Sequence, residues 1–408
     1  MHTLFNNLVV IEAANVLAGP AVGMFFAELG ALVIKIENPV TGGDTTRHWK
    51  LPEESETSDI SAYFSSVNWG KKSLGVNLSS EDGRDVIYDL ITRADIFIHS
   101  YKPGGERRFG LDYETLSGLN PKLIYGQITA FGAEDSRPGF DAIIQAETGF
   151  TGMNGPPGGE PTKMPVALID VLLAHQLKEA ILLALMERIQ SGKGTFITVS
   201  LFQSGIASLI NQAANLLVGG TVPARCGSDH PNIAPYGTVF KTKDGNEIVI
   251  AVGTNGQFQR LCEIIGLSDL PEDGRFRTNQ ARVIHKNELK TLISERLLTF
   301  EREELLSALK KASIPAGAVY SLDEVFDQEA AKQMIVEGDL PEGRRITGVR
   351  SISFRSDFDN NQKPLSAPPC FNQHMNEILC GFLNYSEDHV RALQTKGAIP
   401  HSNGSEKV

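Results

Sequence analysis

The chain has 408 residues, 41% hydrophobic and 21% charged, which is enough apolar material for two or three folded domains. Its net charge of −11 excludes a general nucleic-acid binder, which needs a basic face to release counterions. The longest apolar stretch, Val171 to Met186, is broken by His175, Gln176, Lys178 and Glu179 and is too polar to span a membrane.

The start, MHTLFNNLVVIE, lacks the basic and apolar regions of a signal peptide. Cys226, Cys262, Cys370 and Cys380 are scattered, with no C-x-x-C pair. Four reduced thiols in a cytoplasmic protein are expected, with neither a zinc site nor a disulfide framework.

Leu8 to Ala14 is apolar and β-branched and reads as a buried strand. Gly19 permits a tight turn, and Pro20 suits the first turn of a helix running to Leu29. Gly30 ends that helix, and Ala31 to Glu37 is a second strand. This strand–helix–strand unit points to parallel strands in a doubly wound α/β sheet. Ser73 to Asn77, Asp95 to Ser100 and Leu123 to Thr129 read as further strands, with a helix from Glu81 to Arg93. Gly149 to Lys163 is rich in glycine and proline and reads as a loop. An apolar, strand-like run from Pro165 to Ile169 follows, then Asp170, then a long helix to about Gln190 and a strand from Thr195 to Leu201.

Composition shifts after Leu217. Lys243-Asp244-Gly245-Asn246 between two apolar runs is a hairpin signal. Helices are expected near Phe258 to Ile265, Lys286 to Leu298 and Arg302 to Ala312. The expected organisation is a large domain over 1–205, a linker over 206–221, a small α+β domain over 222–328, and a segment over 329–408 that returns to the large domain.

Asp170 is the outstanding candidate for chemistry. Aspartate is a favoured helix N-cap. A carboxylate at a helix N-terminus is also favoured in its ionised form, as a nucleophile requires. Lys71-Lys72, Lys102, Arg107 and Arg108 lie at strand ends, where a doubly wound sheet binds ligands. Neither G-x-G-x-x-G nor a P-loop is present, which argues against a nicotinamide dehydrogenase.

The blocks LAGPAVGMFFAELGALVIKIENPVTGGDTTR, NWGKKSLGVNL, ADIFIHSYKPGGERRFGLDYETL and PKLIYGQITAFG resemble, in order, those of the CaiB/BaiF family, the class III CoA transferases. HPNIAPY, KDGNEIVIAVG, IPAGAV and NEILCGFLNYSEDHVRALQTKGAI continue the likeness to the end of the chain. The resemblance implies CoA transfer from an acyl-CoA to a small carboxylic acid through an aspartyl anhydride and an aspartyl-CoA thioester. Asp170 falls on the family's catalytic aspartate.

It implies CoA contacts at Val16, Leu17, Ala18, Lys71, Ser100, Tyr101, Lys102 and Arg108. It further implies an interlocked homodimer, with CoA thioester as substrate and no resident cofactor or metal. Arg47 and Arg137 are candidates for holding a distal carboxylate, and succinyl-CoA is the expected donor. Leu17 stands where formyl-CoA:oxalate relatives carry glutamine, which argues against that pair. The alternatives are a 2-methylacyl-CoA racemase and a non-catalytic CoA-binding protein. The racemase needs a histidine where this chain has Phe140, and phenylalanine moves no proton.

Overall fold

The structure is a computed structural model that describes residues 4–354 and 364–401. These form two compact units. One is drawn from residues 4–148, 165–209, 333–354 and 364–401, the other from Gly149–Met164 and Ile210–Lys332.

The first unit is built on six parallel strands: β1 (Val9–Ala13), β2 (Leu32–Glu37), β3 (Lys72–Gly75), β4 (Ile96–His99), β5 (Ile124–Thr129) and β6 (Thr195–Ser200). Their order is β3-β2-β1-β4-β5-β6, the doubly wound arrangement. The central strands are buried on both faces, which is why they read as continuous apolar runs. The strand order reverses between β1 and β4. The loops leaving their carboxyl ends therefore diverge and open a crevice there.

Helix α1 (Ala18–Glu28) is buried almost all round. Two glycines bring it close to the sheet. A Cβ on Gly19 would lie 2.3 Å from the Ala14 Cβ, and one on Gly23 would lie 1.9 Å from Glu12 Oε2. Helix α2 (Glu81–Arg93) packs Val86, Ile87, Leu90 and Ile91 into the core, and α3 (Asp141–Glu147) buries Asp141, Ile144 and Gln145. The long helix α4 (Leu168–Ser191) buries Leu173, Ala174, Leu177 and Ile181, and α5 (Leu201–Ala207) follows β6.

The strand-like reading of Pro165 to Ile169 is corrected: α4 begins at Leu168, after Ala167 as N-cap. Periodicity misleads here because five apolar residues fit a strand as well as a buried first helical turn.

The C-terminal segment covers the β3 edge. Asn372 N donates to Ser73 Oγ at 2.9 Å, Gly75 N donates to Asn372 Oδ1 at 2.9 Å, and Asn77 N donates to the Ala398 carbonyl at 2.8 Å. Leu379, Val390, Leu393 and Ile399 join the core formed by Ile34, Leu74, Ile87 and Phe97. Covering the edge removes an exposed row of strand hydrogen-bonding groups.

The second unit has an antiparallel sheet of Tyr236–Lys241, Glu247–Ala251 and Ala316–Ala318. Helices Asn255–Ile265, Lys286–Leu297 and Arg302–Lys311 pack Phe258, Leu261, Ile293 and Leu305 against its Phe240, Ile248 and Ile250. The glycine-rich Gly149 to Lys163 segment includes one short helix, Phe150–Met153. Among the described residues no helix is long and apolar enough to cross a membrane.

Candidate active site

Two adjoining clefts open at the carboxyl ends of the first unit's strands. One, of about 390 Å³, is lined by Val16 to Gly19 after β1, Ser100 to Pro103 after β4, the segment Asp135 to Phe140, and Asp170. The other, of about 490 Å³, runs over the ends of β2 and β3, past Asn38, Thr41, His48, Asn77 and Ser79. Asn15, Thr45 and Tyr101 line both. This is the place and size at which a doubly wound sheet takes a ligand.

The floor under the β1 turn is an array of buried ions. β1 and β2 pair in a register that sets Glu12 beside Lys35. Lys35 Nζ lies 3.0 Å from Glu12 Oε1 and 2.9 Å from Asp44 Oδ2, and it donates to the Ala14 carbonyl at 2.7 Å. Lys71 Nζ reaches Glu12 Oε2 at 2.7 Å, the Pro20 carbonyl at 2.8 Å and Asn68 Oδ1 at 2.9 Å. Burial alone would neutralise Lys35, but Asp44, Glu12 and Glu37 hold its pKa above the ordinary value. Lys71 has fewer anions around it, and burial takes it down to about 8.

Asp44 accepts the Val16 N–H at 3.3 Å, and Val16 has φ of +71°. That is a genuine outlier for a β-branched residue, and surrounding structure must hold it. The ion array thus fixes the turn that forms one wall of the cleft.

Asp170 sits on the opposite wall in a different environment. It is 7% exposed, and among the described residues its carboxylate has neither a hydrogen bond nor an ion pair. It is the third residue of α4, so the N-cap role expected for it falls to Ala167, which has no side-chain acceptor. The expectation that the helix end favours ionised Asp170 is also corrected. Burial, and then the charge of Asp141, raise its pKa from 3.8 to about 7. Nearby Tyr63 is raised by burial and by Asp170 and Asp141 together.

The cleft brings together Asp170, Val16, Leu17, Ala18, Ser100, Tyr101, Lys102 and Arg137. Lys102 is exposed and has no ion pair among the described residues. Arg137 lies 3.8 Å over the Phe131 ring and pairs with Asp135 at 3.0 Å. Arg108 is exposed in the short helix Gly105–Arg108 and lines neither cleft.

Lys71 and Arg47 are not in the clefts. Lys71 is spent in the ion array. Arg47 is 1% exposed, bonds Glu37 at 2.7 and 2.8 Å and the Pro369 carbonyl at 3.1 Å, and stacks 3.8 Å over Phe64. Sequence reading passed over Asp44 and Lys35. The available signal was charge inside otherwise apolar strands, at Glu12 and Lys35.

Phe140 is exposed on the cleft wall, with Trp49 at 6.5 Å between ring centroids. It brings no proton to the position where a racemase needs a base.

A crevice at the sheet's switch point, with an uncapped helix on one wall and, among the described residues, an unpaired carboxylate on the other, marks the site of a small-molecule binding or group-transfer protein of the doubly wound class. The comparisons specify which. The family described as CoA-transferase family III matches residues 5–375, and the chain belongs to that family. It is 39% identical to the succinate–glutarate CoA-transferase of Agrobacterium fabrum, across 91% of this chain and 93% of the relative. It is 35% identical to the succinyl-CoA:glutarate CoA-transferase of Mus musculus, across 96% and 89%. A CaiB/BaiF family protein from Brucella suis shares its fold with a TM-score of 0.81 at 38% identity, across 93% of this chain and all of that one. The chain is an enzyme of the CoA-transferase type.

Proposed function

We propose that the enzyme moves CoA from succinyl-CoA to a small dicarboxylate, with glutarate the first acceptor to test, and that Asp170 carries the acyl group between them. The observation that carries this reading is the buried Asp170 carboxylate, unpaired among the described residues, in the cleft between the two loops of the switch point.

An Asp170 oxygen attacks the thioester carbonyl, the C–S bond breaks, and CoA leaves as thiolate, giving a mixed anhydride. The thiolate then attacks the aspartyl carbonyl and expels the donor acid, leaving an aspartyl-CoA thioester. The acceptor carboxylate attacks that thioester and again releases thiolate. Thiolate attack on the acceptor's carbonyl delivers the new acyl-CoA and frees Asp170.

Each acylated form of Asp170 is neutral. Holding the ionised form in a site that lifts its pKa to about 7 therefore destabilises the reactant more than the intermediates, by about 4 kcal/mol at 1.36 kcal/mol per pKa unit. α1 has no side-chain cap, so its first N–H groups remain available to an oxyanion or phosphate.

Val16, Leu17, Ala18, Ser100, Tyr101, Lys102 and Arg108 are assigned to CoA, with Lys102 and Arg108 meeting its phosphates. Arg137, rather than the enclosed Arg47, is assigned to the distal carboxylate. The homodimer belongs to the same reading and is supported by exposed Leu183, Met186 and Ile189 on α4. So does a cytoplasmic setting, supported by four free thiols.

The test is incubation with succinyl-CoA and glutarate, scored by mass spectrometry for glutaryl-CoA. Hydroxylamine is added during turnover, with peptide mapping for a hydroxamate at Asp170. Exchange with the hydroxamate at Asp170 is expected. Exchange with Asp170 unmodified under trapping, or no exchange for any diacid, overturns the reading.

A further inference from the structure

Helix α4 presents Asp170 to the cleft, yet its own N-cap contributes nothing: Ala167 has no side-chain oxygen to accept the N–H groups of the first turn. The acceptor comes from another helix. Asp141, first residue of α3 and buried, takes the Ile169 N–H on Oδ1 at 2.7 Å. Its Oδ2 accepts Gln145 Nε2 at 2.6 Å, and Gln145 Nε2 also lies 3.3 Å from the Val166 carbonyl. One carboxylate is thereby locked between α3 and the residue immediately before the nucleophile. A neutral acceptor would cap the helix equally well, so the charge at this position calls for its own account.

We propose, on the reading of Asp170 as acyl carrier, that Asp141 is a positioning residue with two separable effects: its Oδ1 seats the first turn of α4, and its negative charge keeps the neighbouring Asp170 carboxylate in a high-energy, reactive state.

The other groups around Asp170 do not supply that charge. α1, packed along α4, carries only Glu28, at its far end. β6 and α5 carry no titratable side chain, and β5 carries only Tyr125. α3 also carries Glu147, which pairs with Arg137. On α4 itself, His175, Lys178 and Glu179 lie further along. Lys102, Asp135 and Arg137 line the cleft, the last two paired with each other, and Tyr63 responds to Asp170 and Asp141 alike. Asp141 is the charged group whose effect on Asp170 accompanies burial.

The two effects separate by substitution. Asp141→Asn keeps an oxygen for the Ile169 N–H and removes the charge. Asp141→Ala removes both. The experiment measures the protonation of Asp170 without turnover. A diazo ester, which esterifies only protonated carboxyl groups, is applied to the full-length protein across pH 4.5–9, and Asp170 modification is quantified by peptide mapping.

Wild type should lose modification with a midpoint near pH 7. D141N should move the midpoint down by about one pH unit. Acyl-enzyme formation from succinyl-CoA, followed by intact mass, should then fall up to about tenfold at pH 8, where both proteins are ionised and one pKa unit of destabilisation is lost, and change little at pH 6, where a roughly fivefold larger ionised fraction offsets that loss. D141A should slow acylation about 10- to 100-fold at every pH through misplacement of Asp170.

A D141N midpoint equal to that of wild type overturns the charge role, and equal acylation by D141A and D141N at every pH overturns the seating role. Should D141A fail to fold, a seating role stands only if D141N, folded, acylates within about threefold of wild type at pH 6, where the gain in ionised fraction offsets the lost charge effect; a larger loss there overturns it. Failure of wild type itself to acylate, with the midpoints still separated, would instead count against the acyl-carrier reading.

Discussion

The first unit buries charge in two places and treats it in opposite ways. Beneath β1, Glu12, Lys35, Asp44 and Lys71 neutralise one another at 2.7–3.0 Å. In the cleft, Asp170 is almost as buried but has a second carboxylate for company and, among the described residues, no paired cation. The first arrangement lowers the pKa of Asp44 despite its burial, because Lys35 and the Thr46 N–H outweigh desolvation. The second leaves desolvation unopposed and adds to it. Paired buried charge fixes geometry, here the positive-φ turn at Val16, whereas unpaired buried charge stores reactivity.

Removing the unpaired carboxylate breaks the comparison most severely. Asp170→Ala should lower succinyl-CoA:glutarate exchange by about 10⁴-fold or more, since the neighbouring Asp141 carboxylate is tied to the Ile169 N–H and to Gln145 and cannot take its place. CoA binding measured by calorimetry should stay within a few-fold of wild type. Residual exchange within tenfold of wild type would assign the chemistry elsewhere.

Removing one paired charge should be felt in stability. Lys71→Met strands Glu12 without its second partner and should cost about 3–5 kcal/mol in urea unfolding. If the fold is unaffected and CoA affinity collapses instead, Lys71 contacts CoA, as the family resemblance implies, and the ion array is not its principal role.

The unpaired site makes the opposite prediction. Between pH 4 and 7 folded Asp170 holds its proton more tightly than in the unfolded chain, so its ionisation drains stability as pH rises through about 7. Asp170→Asn escapes that loss. It should be more stable than wild type by up to about 4 kcal/mol at pH 8, with the gain fading towards pH 4. A variant that loses activity while gaining stability that grows from about pH 4 and levels off above about pH 7 would show that the strain belongs to the charge. A gain independent of pH would place it in packing instead.

The same contrast explains what was legible in the sequence. All six parallel strands could be placed within a residue or two; the inner ones, buried on both faces, leave continuous apolar runs bounded by turn residues, whereas β6 shows the alternation of an edge strand. Asp170 stood out from the family blocks, but its environment did not. Its raised pKa depends on burial and on Asp141, 29 positions earlier in the chain, and linear spacing carries no such information. For the same reason Lys71 and Arg47 read as ligand-binding cations. Nothing local reveals that Glu12 and Glu37 point at them across the sheet. Lys102 lines the cleft because the end of a strand near the switch point fixes where a following residue must lie.

Lys102 gives the smallest effect and the finest discrimination. It is a lysine after β4, at the carboxyl end of the sheet, whereas Lys71 precedes β3; it is exposed, without an ion pair among the described residues, and on the cleft wall. Exposed cations contribute little to a fold, so Lys102→Met should leave the unfolding midpoint unchanged. Meeting a phosphate as a charge-assisted contact, it should instead weaken CoA binding about tenfold at low salt, and by less as ionic strength shortens the Debye length. Calorimetric titration at 20 and 200 mM salt measures both numbers. The inverse pattern in the two lysines, stability for Lys71 and salt-dependent affinity for Lys102, is what the difference in pairing requires. An affinity for Lys102→Met equal to that of wild type at both salts would mean that exposure and position in the cleft do not suffice to make a cation a ligand contact.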